Sequence, residues 1–251
     1  MKNNPFSLEG KTILVTGASS GIGRSTAIEC AKMGAKVILS ARNAERLEQT
    51  KAELDNQNNG HEIMMADLTN QDELEALVKS VPLLDGVVLS SGRTGSFLPI
   101  KFCKRDKINP VFDTNFFSPF ELMRQLFKSK KLKDGSSVVA IASIGGIKSF
   151  SSGNGDYGAA KAALNSIMKF SAKEFAPKGI RVNCISPGMI QTPMVDNCGY
   201  SAEQIASDIE HYPLKRYGKP EEVAYGAVFL LSDATAWVTG TNLYIDGGVT
   251  I

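Results

Sequence analysis

An α/β fold built on a doubly wound parallel sheet is what this sequence predicts, on three observations. Short β-branched or apolar runs alternate with longer helical patterns from end to end, as repeated βα units do. The first run passes straight into a glycine-rich turn, Gly17-Ala18-Ser19-Ser20-Gly21-Ile22-Gly23, and then into a helical pattern that reaches Met33-Gly34. No low-complexity linker interrupts the alternation over 251 residues. A barrel of eight βα units would also alternate, but it would not need a glycine-rich first turn. The expectation is one Rossmann-type domain spanning 1–251, with about seven strands and helices on both faces, a length that doubly wound folds commonly fill with a single domain.

In chain order the strands expected are Thr12 to Thr16, Lys36 to Ser40, Glu62 to Ala66, Gly86 to Ser90, Ser137 to Ala142, Arg181 to Ser186 and Asn242 to Ile245, each a short run rich in Val, Ile or Leu. Helices fill most of the gaps. The least regular stretch, 188–217, carries Pro193, Gly199 and Pro213 around a polar, helix-compatible segment at Ser201 to Glu210. Following the sixth strand, it is expected to overhang the carboxyl ends of the strands as a substrate lid.

Composition narrows the function classes. Hydrophobic residues make up 43% and charged residues 22% of the chain, enough to bury a full core. A formal net charge of +2 argues against nucleic acid, whose binders are strongly basic. Residues 1–10 contain no apolar core of signal-peptide length, and nothing approaches the ~20 apolar residues of a membrane span, so a cytoplasmic protein is expected. Cys30, Cys103, Cys184 and Cys198 show no CxxC spacing, and His61 and His211 are the only histidines. Reduced structural thiols and no metal site are expected.

The glycine-rich turn reads as a phosphate cradle. Gly17 permits the tight turn, Gly21 a close approach of backbone to a pyrophosphate, and Gly23 close packing of helix on strand; Ser19, Ser20 and Ile22 complete the loop, and the helix N-terminus faces the anion. A site selective for NAD would carry Asp or Glu about 20 residues on, at the end of the second strand. Here that strand ends Leu39-Ser40-Ala41-Arg42. With no carboxylate to repel a 2′-phosphate, and with Arg42, Arg24 and Ser40 as candidate donors to it, NADP(H) is expected in preference to NAD(H).

A second constellation is Tyr157-Gly158-Ala159-Ala160-Lys161, which opens a helical pattern running through Leu164 and Met168 to Phe175. At i and i+4, Tyr157 and Lys161 share one helix face. A free phenol, with a pKa of about 10, is a poor proton donor at neutral pH. An ammonium ~5 Å away lowers that by ~3 kcal/mol at an effective dielectric of 20, or about two pKa units.

The spacing Thr16-Gly17-x-x-x-Gly21-Ile22-Gly23, with Tyr157-x-x-x-Lys161 following in the same order, resembles the short-chain dehydrogenase/reductase family, most closely the 3-oxoacyl-(acyl-carrier-protein) reductases, over nearly the whole chain. The resemblance implies catalytic roles for Asn115, in Asp113-Thr114-Asn115, and for Ser143, which follows the apolar run Val138 to Ala142. Tyr157 would be the proton donor, Ser143 would bond the reacting oxygen, and Lys161 would hold the nicotinamide ribose and lower the tyrosine pKa. Asn115 would hold a water linking Lys161 to solvent. The resemblance also places cofactor contacts at Asp67 and Leu68, at Gly92, and at Pro187, Gly188, Ile190 and Thr192. Cofactor-binding motifs would thus lie mainly in 10–95 and catalytic residues in 115–161.

One departure stands out: Leu89-Ser90-Ser91-Gly92 occupies the place of the family's Asn-Asn-Ala-Gly, and Leu89 and Ser90 cannot supply two side-chain amides. An apolar pocket of Ile147, Phe150, Met189 and Met194 is expected for the substrate, a small-molecule carbonyl or alcohol, with a thioester carried on acyl-carrier protein or CoA and a sugar, steroid or small ketone all open. The basic run Lys128, Lys130, Lys131 and Lys133, with Lys173, could attract an acidic carrier. The final strand resembles one that packs across a two-fold axis, implying a homotetramer or homodimer. A non-catalytic NADP-binding sensor is the alternative, favoured only by the altered 89–92 segment.

Overall fold

Parallel strands need long crossovers, and helices supply them. The computed structural model describes residues 4–196 and 199–251. Its strands are β1 (Thr12–Thr16), β2 (Lys36–Ser40), β3 (Glu62–Ile63), β4 (Leu84–Leu89), β5 (Leu132–Ile141), β6 (Arg181–Pro187) and β7 (Asn242–Ile245), in one parallel sheet ordered β3-β2-β1-β4-β5-β6-β7. The helices are α1 (Gly21–Lys32), α2 (Ala44–Ala52), α3 (Gln71–Ser80), α4 (Arg105–Phe112), α5 (Ser118–Lys128), α6 (Gly155–Phe175), α7 (Pro193–Asp196), α8 (Ala202–Ile209) and α9 (Pro220–Leu231).

Both faces of the sheet are covered, as the period-two alternation of strand side chains requires. Leu14, Ile38, Val87, Val138 and Val182 point to one side and pack with Leu74 and Val78 of α3, Leu122 and Leu126 of α5, and Leu164 and Met168 of α6. Their neighbours Ile13, Val37, Val88, Val139 and Ile185 pack on the other with Ala27 and Ala31 of α1, Leu47 of α2, and Val223 and Ala227 of α9. β1 has β2 on one side and β4 on the other. The crossovers diverge there, leaving a crevice at the carboxyl ends of β1 and β4 where ligands of such sheets bind.

The strands β1, β2 and β7 have the expected bounds and the other four differ: β4 runs Leu84–Leu89 rather than Gly86 to Ser90, and β6 ends one residue later, at Pro187. β3 is two residues long rather than five, although Met64 and Ala66 still donate to the carbonyls of Leu39 and Ala41 at 2.9 and 3.3 Å. β5 starts five residues early, at Leu132, because Leu132 already pairs with Leu84; a register shift then takes up 133–136 before Ser137 pairs with Gly86. Between α4 and α5, residues Asp113–Phe117 form a π-helical turn. The stretch 201–210 is helical as α8, held by a capping box in which Ser201 and Gln204 bond each other's backbone N–H.

Cys30 and Cys184 are buried free thiols, both pushed up to about 12 by burial, and Cys103 is half-buried; Cys198 lies outside the described residues. His61 is used structurally, its Nδ1 accepting the Val37 N–H at 3.0 Å. Among the described residues no three His, Cys, Asp or Glu side chains are grouped to hold a metal, and no helix is long and apolar enough to cross a membrane.

Candidate active site

A cavity of about 1770 Å³ opens at the carboxyl ends of the strands, between the turn after β1 and the segment after β6. Its floor at one end is the phosphate cradle. Gly17 has φ +65, and a Cβ there would stand 2.9 Å from the Ser90 carbonyl oxygen; one at Gly23 would overlap the Gly17 carbonyl. Only glycine lets α1 dock this closely on the β1 turn. The N-terminus of α1 has no side-chain cap and no acidic residue in its first turn, so its N–H groups and positive dipole end are open to an anion. The cradle and the uncapped helix end together fit a dinucleotide phosphate. Ser19, Ser20, Gly21 and Ile22 line the cavity, and Thr192 reaches over to put Cγ2 within 3.2 Å of a Cβ built on Gly21.

At the far end of the cradle Arg42 lines the cavity, its side chain 76% exposed and 3.7 Å from Asp67 Oδ2. Two of the expected 2′-phosphate donors are corrected. Arg24 bonds Glu53 and does not line the cavity, because the first turn of α1 aims it down toward the end of α2. Ser40 shares the strand face of Ile38 and is only 1% exposed, its hydroxyl buried without a hydrogen-bond partner. Arg46 lines the cavity beside Arg42 instead: Asn43 caps α2 by accepting the Arg46 N–H at 2.8 Å, in the turn that carries Arg46 to the wall. Asp67 and Leu68 line the same end. Burial raises the Asp67 pKa but is outweighed by the Thr69 N–H and hydroxyl, at 3.0 and 2.7 Å, and by Arg42, so the carboxyl sits below its usual value.

The altered 89–92 segment is held through its own backbone by the Thr16 hydroxyl, without side-chain amides at 89 and 90. Thr16 Oγ1 accepts the N–H groups of Ser90 and Ser91 at 3.0 and 3.3 Å and donates to the Val88 carbonyl at 3.2 Å. Asn115, 0% exposed, locks the next residue by accepting the Arg93 N–H and donating to the Arg93 carbonyl, both at 3.0 Å. Gly92 lies between Asn115 and Lys161: a Cβ there would be 3.1 Å from Asn115 Oδ1 and 3.6 Å from Lys161 Nζ.

Ser143, Tyr157 and Lys161 all line the cavity. They converge because Gly146 meets Gly158 backbone to backbone, with no room for a side chain at Gly146, so the turn after β5 rests on the first turn of α6. A Cβ built on Gly145 would then be 3.3 Å from Ser143 Oγ and 4.0 Å from Tyr157 Cδ1. Ser143 Oγ accepts the Gly145 N–H at 3.0 Å, which directs its own proton elsewhere. Lys161 is 4% exposed; its Nζ donates to the Ile141 carbonyl at 2.8 Å and stands 6.0 Å from the Tyr157 ring centre. Burial lowers its pKa to about 8.

The segment after β6 contributes Pro187, Gly188, Met189, Ile190 and Thr192 to the wall. Tyr212 fixes it by accepting the Met189 N–H on its hydroxyl at 3.1 Å. Phe150, Met189 and Met194 border the catalytic end, but Ile147 does not; the tight turn after β5 brings Ile144 to the wall in its place. Sequence reasoning missed a further wall, Thr94 to Ile100, which follows β4 and presents Phe97, Pro99 and Ile100.

Known proteins resemble this chain over nearly its whole length. The family profile described as enoyl-(acyl carrier protein) reductase matches residues 17–250. The 3-oxoacyl-(acyl-carrier-protein) reductase FabG of Rickettsia prowazekii is 36% identical over 242 residues, which covers 96% of this chain and 98% of that protein. A solved protein of the short-chain dehydrogenase/reductase family superposes with a TM-score of 0.84 at 34% identity, covering 96% and 98% of the two chains. An Agrobacterium tumefaciens protein solved with NADP bound gives 0.88 at 30% identity over 98% and 99%. With sequence, profile and fold in agreement over nearly its whole length, this chain is an oxidoreductase of the short-chain dehydrogenase/reductase family.

Proposed function

We propose that this protein reduces a carbonyl to an alcohol with NADPH, and that a 3-oxoacyl thioester, the substrate in the names of its curated relatives, is the first acceptor to test. The observation that carries the reading is the meeting of Ser143, Tyr157 and Lys161 on one cavity whose other end is an uncapped helix N-terminus. Preference for NADP(H) is supported by Arg42 and Arg46 on the wall and by Ser40-Ala41-Arg42, without a carboxylate, at the end of β2.

The bound nicotinamide would supply the hydride. Ser143, its lone pair engaged by the Gly145 N–H, donates its hydroxyl proton as a hydrogen bond to the substrate oxygen, where negative charge grows. Tyr157 transfers its phenolic proton to that same oxygen and completes the alcohol. Lys161, held by the Ile141 carbonyl, favours the phenolate left behind through its positive charge. The side-chain amide of Asn115 is spent on Arg93, so its main chain is the group left to hold a water. Pro119 has no N–H, and the Asn115 carbonyl four residues before it therefore lacks its α-helical donor. A water on that carbonyl would return a proton to Tyr157 through Lys161.

The test is loss of NADPH absorbance against a panel containing a 3-oxoacyl thioester, a small diketone and a keto-sugar. Tyr157→Phe is expected to lower kcat by about a hundredfold or more while leaving NADPH binding intact. Tight NADPH binding with no turnover on any acceptor would instead favour a sensor.

A further inference from the structure

The wall that follows β4 is stitched to the helix bearing the proton donor by one buried carboxylate. Asp156 is 4% exposed and belongs to neither the cofactor cradle nor the reacting set. Its Oδ2 accepts the Ser96 N–H at 2.9 Å and the Ser96 hydroxyl at 2.5 Å, across 60 positions of sequence, and its Oδ1 accepts the Tyr157 N–H at 2.7 Å. Gly95 is pressed into the same joint: a Cβ there would be 2.5 Å from Asp156 Oδ1 and 3.0 Å from Tyr157 Cβ. Beyond it, Phe97 takes a left-handed backbone with φ +52, and the Ile100 side chain reaches to within 2.8 Å of a Cβ built on Gly155. The other end of the segment is the Arg93 backbone, pinned by Asn115. A strained non-glycine residue persists only where its surroundings over-determine it, and here two buried polar side chains do so.

We propose that Asp156 is a positioning residue that ties the Thr94–Ile100 wall to Tyr157, holding the apolar side of the carbonyl pocket at one spacing from the proton donor and thereby setting which carbonyls fit. The inference rests on the reading of Tyr157 as that donor. A carboxylate in the first turn of α6 would also favour the helix dipole. That simpler role needs no partner in another segment, whereas Ser96 supplies two donors to the same oxygen. Phe97, Pro99 and Ile100 make the tethered wall apolar, so the group it selects is the hydrocarbon flanking the reacting carbonyl.

The experiment compares Asp156→Ala, Asp156→Asn and Ser96→Ala in the full chain. The readouts are steady-state kinetics on the best acceptor of the panel, NADPH binding by fluorescence, and hydrogen exchange of the free protein. Asp156→Ala is expected to raise the carbonyl KM by about tenfold or more with NADPH affinity within about twofold of the parent. Amides of 94–100 should exchange at least about tenfold faster, those of α6 beyond Leu164 at the parental rate. Ser96→Ala, which keeps the helix-side carboxylate, should move the same readouts in the same direction by less, and Asp156→Asn should fall between parent and Ala. An unchanged carbonyl KM in a loosened segment, retained protection of 94–100, or equal loss of protection along all of α6 would each overturn the proposal. Should the parent reduce no carbonyl, the functional reading fails on the panel alone, and the exchange data still decide whether Asp156 holds the wall.

Discussion

Burial takes the Lys161 pKa from 10.5 to about 8, and the sign of that shift has two consequences at the scale of the residue. Between those values the unfolded chain holds a proton that the folded chain lacks, so this group makes stability rise with pH across that window. Below pH 8 the fold carries a buried ammonium at a cost of about 3 kcal/mol. Lys161→Met is therefore expected to abolish turnover while raising Tm by several degrees at pH 7, and to flatten the pH dependence of stability above 8; a calorimetric scan with no rise in Tm would refute the assignment of the shift to burial. In the proposed mechanism the Lys161 charge that would favour the Tyr157 phenolate disappears as pH rises through about 8, so kcat for reduction should decline there. Tyr157 and Lys161 were legible as a pair because both lie on one helix at a fixed spacing. Asp156 was not, since the Ser96 that gives it meaning is 60 positions away, and no local pattern records such a partner.

At the scale of the element, the end of β2 and the first turn of α2 each bring one arginine to the cavity wall, Arg42 and Arg46, where the proposed cofactor's 2′-phosphate would lie. Helix α2 brings Arg46 to the cavity only because Asn43 caps it, whereas the turn of α1 carries Arg24 off to Glu53. Arg46→Ala is expected to raise the KM for NADPH by about tenfold or more, the worth of a charge-assisted hydrogen bond, with the KM for NADH little changed. Arg24→Ala should alter neither, and a loss of NADPH selectivity in that variant would reverse the assignment. Charge and strand order predicted that arginines would meet a phosphate here, but which arginine depends on a helix start that the sequence marks only weakly. Ser40 illustrates the same thing for strands: it stands near the crevice in sequence, yet alternation turns its side chain into the fold.

Across the whole molecule the sheet separates two ends, and the basic run that could attract a carrier lies at the end away from the cavity. Lys128 to Lys133 lies at the amino end of β5 and Ser143 at its carboxyl end, roughly 30 Å apart at 3.3 Å per strand residue. Lys131 is moreover engaged with the Lys79 and Val81 carbonyls, and Lys133 with Asp85. Lys101, Lys104, Arg105 and Lys107 are exposed and follow directly on Pro99 and Ile100 of the cavity wall. If the acceptor is a carrier-linked thioester, Lys104→Glu with Arg105→Glu should raise its KM severalfold at low salt and spare a small ketone, as rim charges act on encounter; Lys130→Glu alone should leave the KM of both unchanged, and equal effects of the two changes would contradict this polarity. Element order, sheet class and the position of the crevice were readable because alternation and the glycine turn are local signals. The lengths of β3 and β5 and the wall after β4 were not, because cross-strand pairing and loop docking fix them. One remote position makes the two-ended design useful at the bench. Gly60, before β3 at the amino ends of the strands, has φ +69 and no atom within 4 Å of where a Cβ would stand. A dye or immobilising handle grafted into that bend would grip the enzyme by its back, with the cavity mouth turned toward solution.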